Sequence, residues 1–390
     1  MLKSARMDNR TRQLVQALHD HPAQLVLVAA GAGTQALSLL LGVSGASRTV
    51  LEAIVPYSAM AFDEFLEQTP DQYVSAESAR LLAGRALTRA RWLRRDAPPV
   101  IGLACTATII TDRPKRGEHR AHIALWHTNK LIEYKLNLSK GTRDRAGEEE
   151  MVSHMLLNAL AEACELPHRL PLPLLADDKL EIASNDFNEA AHQLAEGQLH
   201  FFSIQAHGLI GQNTPVPQAL LAGAFNPLHD GHLGMANAAS KVLGKPVAFE
   251  VTAVNADKPR LPIDTLLDRL TQFAGRYTVY TSNAPTFAEK AEIYPGTTFI
   301  VGYDTAVRIL HPQYYQNSEQ NMHNALAHIR AQGCRFLVAG RSTPDGRFHE
   351  LFDLSIPDAL RDLFQAIPAD LFRQDISSTT LRETQAKGSR

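Results

Sequence analysis

Two histidines three residues apart stand where an apolar run meets a helix-like segment: Leu220-Leu221-Ala222-Gly223-Ala224-Phe225-Asn226-Pro227-Leu228-His229-Asp230-Gly231-His232. Asn226-Pro227 marks a turn after the apolar strand, and the segment through Met235 and Ala238 reads as helix, so His229 and His232 project from one helix N-terminus. Imidazole N–H groups beside unsatisfied backbone N–H groups, at the positive end of a helix dipole, make an anion site suited to a nucleoside triphosphate. Gly223 and Phe225 are expected to shape the close approach of this turn to nucleotide. Gly223 would do so by allowing backbone conformations that other residues resist, and Ala224 lies between the two.

A second constellation lies near the end of the sequence. Asp375-Ile376-Ser377-Ser378-Thr379-Thr380-Leu381-Arg382 sets hydroxyl side chains before a helix-like segment and an arginine three residues past Thr379. Hydroxyls and helix-start N–H groups hold phosphate, and Arg382 could reach the same anion from the next turn. Ordinary helix capping competes with this reading for Ser377, Ser378 and Thr379. Lys258 follows a strand-like run and could neutralise a substrate phosphate or the triphosphate. Gly302 and Asp304 lie beyond another strand end and could meet ribose or base. A solvated turn is an equal reading for Lys258 and Asp304. His311, Tyr314 and Tyr315 could wall a base, although core or lid packing is the stronger reading.

These residues need elements to position them. A chain of 390 residues with 45% hydrophobic composition exceeds one ordinary domain and can bury two cores. Gln24–Ala30 reads as a buried strand, residues 75–92 as a helix capped by Ser75, and 100–110 and 119–126 as further strands. A helix over 148–164 closes an α/β domain spanning residues 1–165. The proline-punctuated run from Leu166 to Pro173 opens a connector, residues 166–217, in which 177–197 reads as helix and Phe201–Ile204 as a short strand. From 218 to 390, apolar runs at 248–254, 277–280, 298–301 and 336–339 alternate with helix-like segments such as 263–273 and 321–332. Right-handed crossovers would assemble them into a Rossmann-like parallel sheet whose ligand lies beyond the strands' carboxyl ends.

The balance of charge narrows the partners. A formal net charge of −2 with interspersed signs gives no basic field for nucleic acid, and Arg89, Arg91, Arg94 and Arg95 read as a solvated helix face. The apolar run from Leu25 to Val43 is interrupted by Gly31, Gly33, Thr34, Gln35 and Ser38, which favours strand, turn and helix over a membrane span. No secretory signal is visible. The three cysteines, Cys105, Cys164 and Cys334, lie outside any metal-ligand spacing, which fits a reducing, cytoplasmic setting.

The pair His229-Asp230-Gly231-His232 and Ile376-Ser377-Ser378-Thr379-Thr380-Leu381-Arg382 resembles the HxGH and ISSTxxR signatures of the adenylyltransferase branch of the nucleotidylyltransferase superfamily, over about residues 218–384. Within it, Val301-Gly302-Tyr303-Asp304-Thr305 is similar to a stretch of fungal-type nicotinamide mononucleotide adenylyltransferases. The resemblance implies ATP as substrate with Mg²⁺ held mostly by its phosphates, needing no protein metal cage. It also implies attack by a substrate phosphate on the α-phosphorus, catalysis by His229, His232 and Arg382, and β- and γ-phosphates held by Arg382, Ser377, Ser378 and Thr379.

The first domain resembles the CinA C-terminal family, whose active members are nicotinamide-nucleotide amidases. The resemblance runs through Gly45-Ala46-Ser47-Arg48, Val55-Pro56-Tyr57-Ser58, Val74-Ser75-Ala76-Glu77-Ser78-Ala79 and the stretch from Thr106 to Gly117. That family's signature is similar to Ala-Glu-Ser-Cys-Thr-Gly-Gly after the first strand. Here Ala30 stands at the serine position, Ala29 at the acidic one, and Phe62 near the place of an expected lysine. A methyl group cannot attack an amide, so the domain is expected to keep the fold without amidase activity; Thr34 or Ser38 is a remote substitute nucleophile. The resemblance also implies a homo-oligomer formed through this domain.

The leading expectation is an enzyme joining AMP from ATP to nicotinamide or nicotinate mononucleotide, giving NAD or its deamido form and pyrophosphate. One alternative keeps nucleotidyl transfer but uses a phosphopantetheine-like or sugar-phosphate acceptor. Another is a pyridine-nucleotide-sensing regulator with little turnover.

Overall fold

In a computed structural model of the chain, residues 7–94, 99–112, 116–254, 259–342 and 347–373 are described. They fall into two compact α/β units. One comprises Met1–Glu189, Ile204–Ile210 and Thr271–Tyr277, and the other Ala190–Ser203, Gly211–Leu270 and Thr278–Arg390. The stretch 166–217 is thus divided between the two.

The first unit is built on a six-stranded sheet ordered Val50–Ile54, Gln24–Ala30, Val100–Thr108, His119–His127, Lys130–Leu138 and Lys179–Asp186. Its first three strands run parallel and the rest are joined antiparallel. Gln24–Ala30 is almost wholly buried, as expected of a continuous apolar run covered on both faces. Helices Asn9–Asp20, Thr34–Leu41 and Arg145–Ala163 close one face around Leu14, Leu18, Leu40, Leu156 and Leu160. Helix Ala76–Leu93, capped by the Ser75 hydroxyl on Ser78 N–H, covers the other. Gly102 permits that packing, because a Cβ there would stand 2.0 Å from the Ala83 carbonyl oxygen.

The helix expected over 177–197 is instead the strand Lys179–Asp186 followed by the helix Phe187–Ala195. Lys179–Asp186 is an exposed edge strand, and its pairing with Lys130–Leu138, reinforced by Lys135 on Glu181 at 3.1 Å, overrides its helix-compatible composition. Phe187 then turns inward against the buried Trp126, with ring centroids 5.9 Å apart.

The second unit carries an eight-stranded sheet ordered Phe364–Ala366, Arg335–Ala339, Thr298–Gly302, Ala219–Gly223, Ala248–Val251, Val279–Ser282, Phe201–Ile204 and Ile210–Gln212. From Phe364–Ala366 to Val279–Ser282 every neighbouring pair is parallel. The chain begins this run at Ala219–Gly223 and adds two strands on one side. It then crosses to Thr298–Gly302 on the other, so the order reverses between Ala219–Gly223 and Thr298–Gly302. A crevice opens at the carboxyl ends of strands around such a reversal. Beneath it, Lys290 Nζ meets Glu250 Oε2 at 2.6 Å in the core, both side chains nearly sealed from solvent. Glu250 Oε1 also accepts from Ser282 at 2.5 Å and from Tyr294 OH at 3.3 Å. The bonds satisfy Oε1, and Oε2, which has no hydrogen-bond partner among the described residues, is compensated by the Lys290 charge alone.

Candidate active site at the sheet reversal

The strand Ala219–Gly223 delivers the chain to the crevice. Gly223 does not have positive φ; what it supplies is space, since a Cβ there would lie 2.9 Å from the Phe225 ring. The left-handed backbone falls instead on Phe225, at φ 42°. Its ring is buried, edge-on to Phe249 at 5.6 Å and to His232 at 4.9 Å. Ala224 between them is exposed, and its carbonyl accepts from Arg269. The turn therefore places one aromatic ring under the histidine pair while its backbone stays open to solvent.

His229 is the N-cap of helix Asp230–Leu243, and the two histidines cap each other's turn. Gly231 N–H donates to His229 Nδ1 at 3.1 Å, and His229 N–H donates to His232 Nδ1 at 3.3 Å. The rings stack with centroids 3.7 Å apart. Because each Nδ1 accepts a hydrogen bond, each neutral ring carries its proton on Nε2, and Nε2–H is a donor. Burial pushes the His232 imidazole down to about 4, with His229 adding to the effect. Burial also lowers His229, against the opposing pull of Asp230. Both rings are therefore neutral near pH 7.

This arrangement corrects one expectation. Gly231 N–H is taken by His229 Nδ1, and His232 N–H donates to the His229 carbonyl at 2.9 Å, so these helix-start amides are used internally. An anion here would be met by imidazole Nε2–H rather than by those two amides.

Gly302 ends its strand and caps helix Tyr303–Ile309 with extended backbone. Among the described residues, a Cβ at Gly302 would have only Met235 Cε within 4 Å, at 3.9 Å, which sets this strand end beside the helix that carries the histidines. Asp304 is ion-paired with Arg341 and lines a cavity of about 280 Å³ with Arg308, His311 and Tyr314. His311 and Tyr314 thus border open space. Tyr315 packs on the core and donates to the Ile309 carbonyl at 2.9 Å. Met235, Arg269 and Arg341 had no distinguishing signal in the sequence. Lys258, Ser377, Ser378, Thr379 and Arg382 lie outside the described residues. Among the described residues, no three His, Cys, Asp or Glu side chains converge to hold a metal, and no helix is long and apolar enough to cross a membrane.

The strand end of the first unit differs. Glu149 accepts from Gly33 N–H at 3.0 Å, Gln35 N–H at 2.9 Å and the Thr34 hydroxyl at 3.1 Å, so an internal carboxylate occupies the start of helix Thr34–Leu41. Phe62 is buried edge-on to Tyr73.

Residues 220–384 match the cytidylyltransferase-like family model. No curated protein matches the chain significantly. Similar solved structures include the competence/damage-inducible protein CihA from Agrobacterium tumefaciens, at 16% identity over 42% of this chain and 96% of that one, with a TM-score of 0.32. CinA superfamily proteins are also among them. The Enterobacter cloacae protein is 16% identical over 42% of this chain and 99% of its own, with a TM-score of 0.33. The Escherichia coli protein is 20% identical over 42% and 91%, with a TM-score of 0.30.

Proposed function

We propose, from the premise that residues 220–384 form a cytidylyltransferase-like nucleotidyltransferase domain, that the chain transfers AMP from Mg-ATP to nicotinamide or nicotinate mononucleotide. A phosphate oxygen of the mononucleotide attacks the α-phosphorus. The bond from that phosphorus to the oxygen bridging to the β-phosphate breaks, and pyrophosphate leaves with the electron pair. Mg²⁺ enters with ATP and neutralises charge on the phosphate oxygens.

The observation that carries this reading is the mutual capping of His229 and His232, which fixes two Nε2–H donors at the sheet reversal. Donors whose tautomer is fixed before a substrate arrives can stabilise charge as it develops on phosphoryl oxygens with little reorganisation during the reaction. On the sequence resemblance, Arg382, Ser377, Ser378 and Thr379 would hold the β- and γ-phosphates, and Lys258 would neutralise a phosphate. Gly302 and Asp304 would face ribose or base. The acceptor assignment rests on the stretch Val301–Thr305 and on the resemblance of the first domain to nicotinamide-nucleotide amidases.

Pyrophosphate release is the test, with ATP or CTP as donor and nicotinamide mononucleotide, its acid form, phosphopantetheine or a sugar phosphate as acceptor. The product is identified by mass. Dinucleotide from either pyridine mononucleotide supports the proposal, and product only with another acceptor overturns it. His232→Ala is expected to lower turnover by orders of magnitude in folded protein.

We further propose that the first unit lacks amidase activity, because Ala30 offers no nucleophile and Glu149 fills the adjoining helix start. Ammonia release from nicotinamide mononucleotide above background would refute this. The three buried, unpaired cysteines fit a cytoplasmic setting, and assembly through the first domain is tested by light scattering.

A further inference from the structure

The first unit holds a cavity of about 720 Å³, within the usual range for small-molecule sites, and the pairing of its charged groups is uneven. Arg89 is matched: its Nε and Nη2 meet the two oxygens of Glu52 at 2.8 and 3.0 Å, and its guanidinium lies 4.7 Å from the centroid of the Trp92 ring. Arg85 and Arg276, by contrast, share one carboxylate, that of Glu67. Arg85 is 9% exposed and spends Nη2 on Glu67 and Nε on the Phe65 carbonyl, while its buried Nη1 has no hydrogen-bond partner among the described residues. A guanidinium presents five donors in a fixed fork, and buried donors are rarely left unused. Glu67 is itself held at φ 60°, between the two arginines that it serves.

The cavity's other resource is a flat ring. Trp92 is 73% exposed, an unusual position for the largest apolar side chain, and it lines the same space. Glu64 also lines the cavity and is exposed, so its three arginines and three glutamates balance in number; the unevenness lies in Arg85 and Arg276 sharing Glu67 while Arg85 keeps a donor unused. That pair, beside an accessible indole backed by a third arginine, matches a ligand with an oxyanion at one end and a flat ring at the other.

We infer that this cavity is a binding site for a small aromatic oxyanion, a phosphomonoester or carboxylate carried on a planar ring. The oxyanion takes the place of Glu67 on Arg85 and Arg276, an exchange that brings the otherwise sealed Nη1 of Arg85 into use, and the ring lies against Trp92. Glu67 is then a competitor for the site as well as its internal counter-ion.

The test uses the full chain with phenyl phosphate, benzoate, inorganic phosphate and phenol as probes, followed by calorimetry and tryptophan emission. Phenyl phosphate or benzoate is expected to bind saturably and to change the emission, the stronger of the two identifying phosphate or carboxylate as the preferred head. Inorganic phosphate should bind at least about tenfold more weakly, and phenol not at all up to about 10 mM. Trp92→Phe should abolish the emission change. Arg85→Met should weaken binding at least about tenfold, and the isosteric Glu67→Gln, which leaves Arg85 in place, should strengthen it several-fold.

The inference is overturned if neither aromatic anion binds, if heat is released without a Trp92-dependent emission change, or if Glu67→Gln leaves affinity unchanged. It is equally overturned if Trp92 emission responds only to protein concentration, which would assign this face to a second copy of the chain. None of these readouts involves pyrophosphate release, so failure here leaves the nucleotidyl-transfer proposal standing.

Discussion

His229 and His232 lie face to face, ring centroids 3.7 Å apart, with the backbone N–H of the first donating to the ring of the second. One device thus caps a helix and fixes two tautomers. The two roles can be separated by His229→Asn, because asparagine is a good N-cap and restores an acceptor for the first turn. Thermal stability should change by less than about 1 kcal/mol, while nucleotidyl transfer should fall by at least about 100-fold. Equal losses in both would mean that His229 serves the helix alone.

Neutral histidines predict a particular pH response. For the free enzyme, kcat/KM for the nucleotide should not fall from pH 6 to pH 8 on account of this pair, because the Nε2–H donors persist in the neutral rings. A tenfold fall per pH unit above about 6.5 would identify an imidazolium as the working form.

Stability should respond in the opposite range. The folded value of His232 is depressed to about 4 by burial, and those of His122 and His127 are likewise about 4. Above the unfolded value of about 6.5 both states are neutral and the full stability is present. As pH falls from there toward 4, the unfolded chain binds protons that the folded chain refuses, and stability is lost by at most about 1.4 kcal/mol per pH unit for each histidine. Urea unfolding at intervals between pH 7.5 and 4.5 would reveal this slope, and His232→Asn should make it shallower.

Gly223→Ala places a methyl carbon 2.9 Å from the Phe225 ring, which is held between Phe249 and His232. Relieving that contact moves the ring that supports His232. The expected cost is about 1–3 kcal/mol of stability, together with a fall in kcat larger than any change in KM for the nucleotide. An unaltered kcat would show that Phe225 does not position His232.

The buried pair of Glu250 and Lys290 makes the parallel sheet sensitive to half-removal. Lys290→Met leaves a carboxylate stranded in the core and should cost about 3–5 kcal/mol in urea unfolding. The double variant Glu250→Leu, Lys290→Met should recover much of that loss. A double variant as unstable as the single one would show that packing rather than charge governs the site.

What the sequence discloses here is what local chemistry determines. The run Gln24–Ala30, the Ser75 hydroxyl before its helix and the two histidines at a helix start each announce themselves within a few residues. Long-range complementarity is silent. Glu149 reaches Gly33 across 116 residues, and Glu250 looks out of place in an apolar strand until Lys290 and Ser282 are brought to it. The edge strand Lys179–Asp186 has a composition that suits a helix, and only its partner strand decides otherwise. The mutual capping of the histidines is intermediate: their spacing was visible, but which nitrogen faced inward was not.

Trp126 in the core and Trp92 at the cavity are the only two tryptophans of the chain, and both belong to the first unit. Indole emission is therefore a built-in gauge of that unit's integrity, and the second unit can melt without contributing an indole signal of its own. Far-ultraviolet circular dichroism reports both halves, so the two spectra, recorded together on unlabelled protein, distinguish one cooperative unfolding event from two.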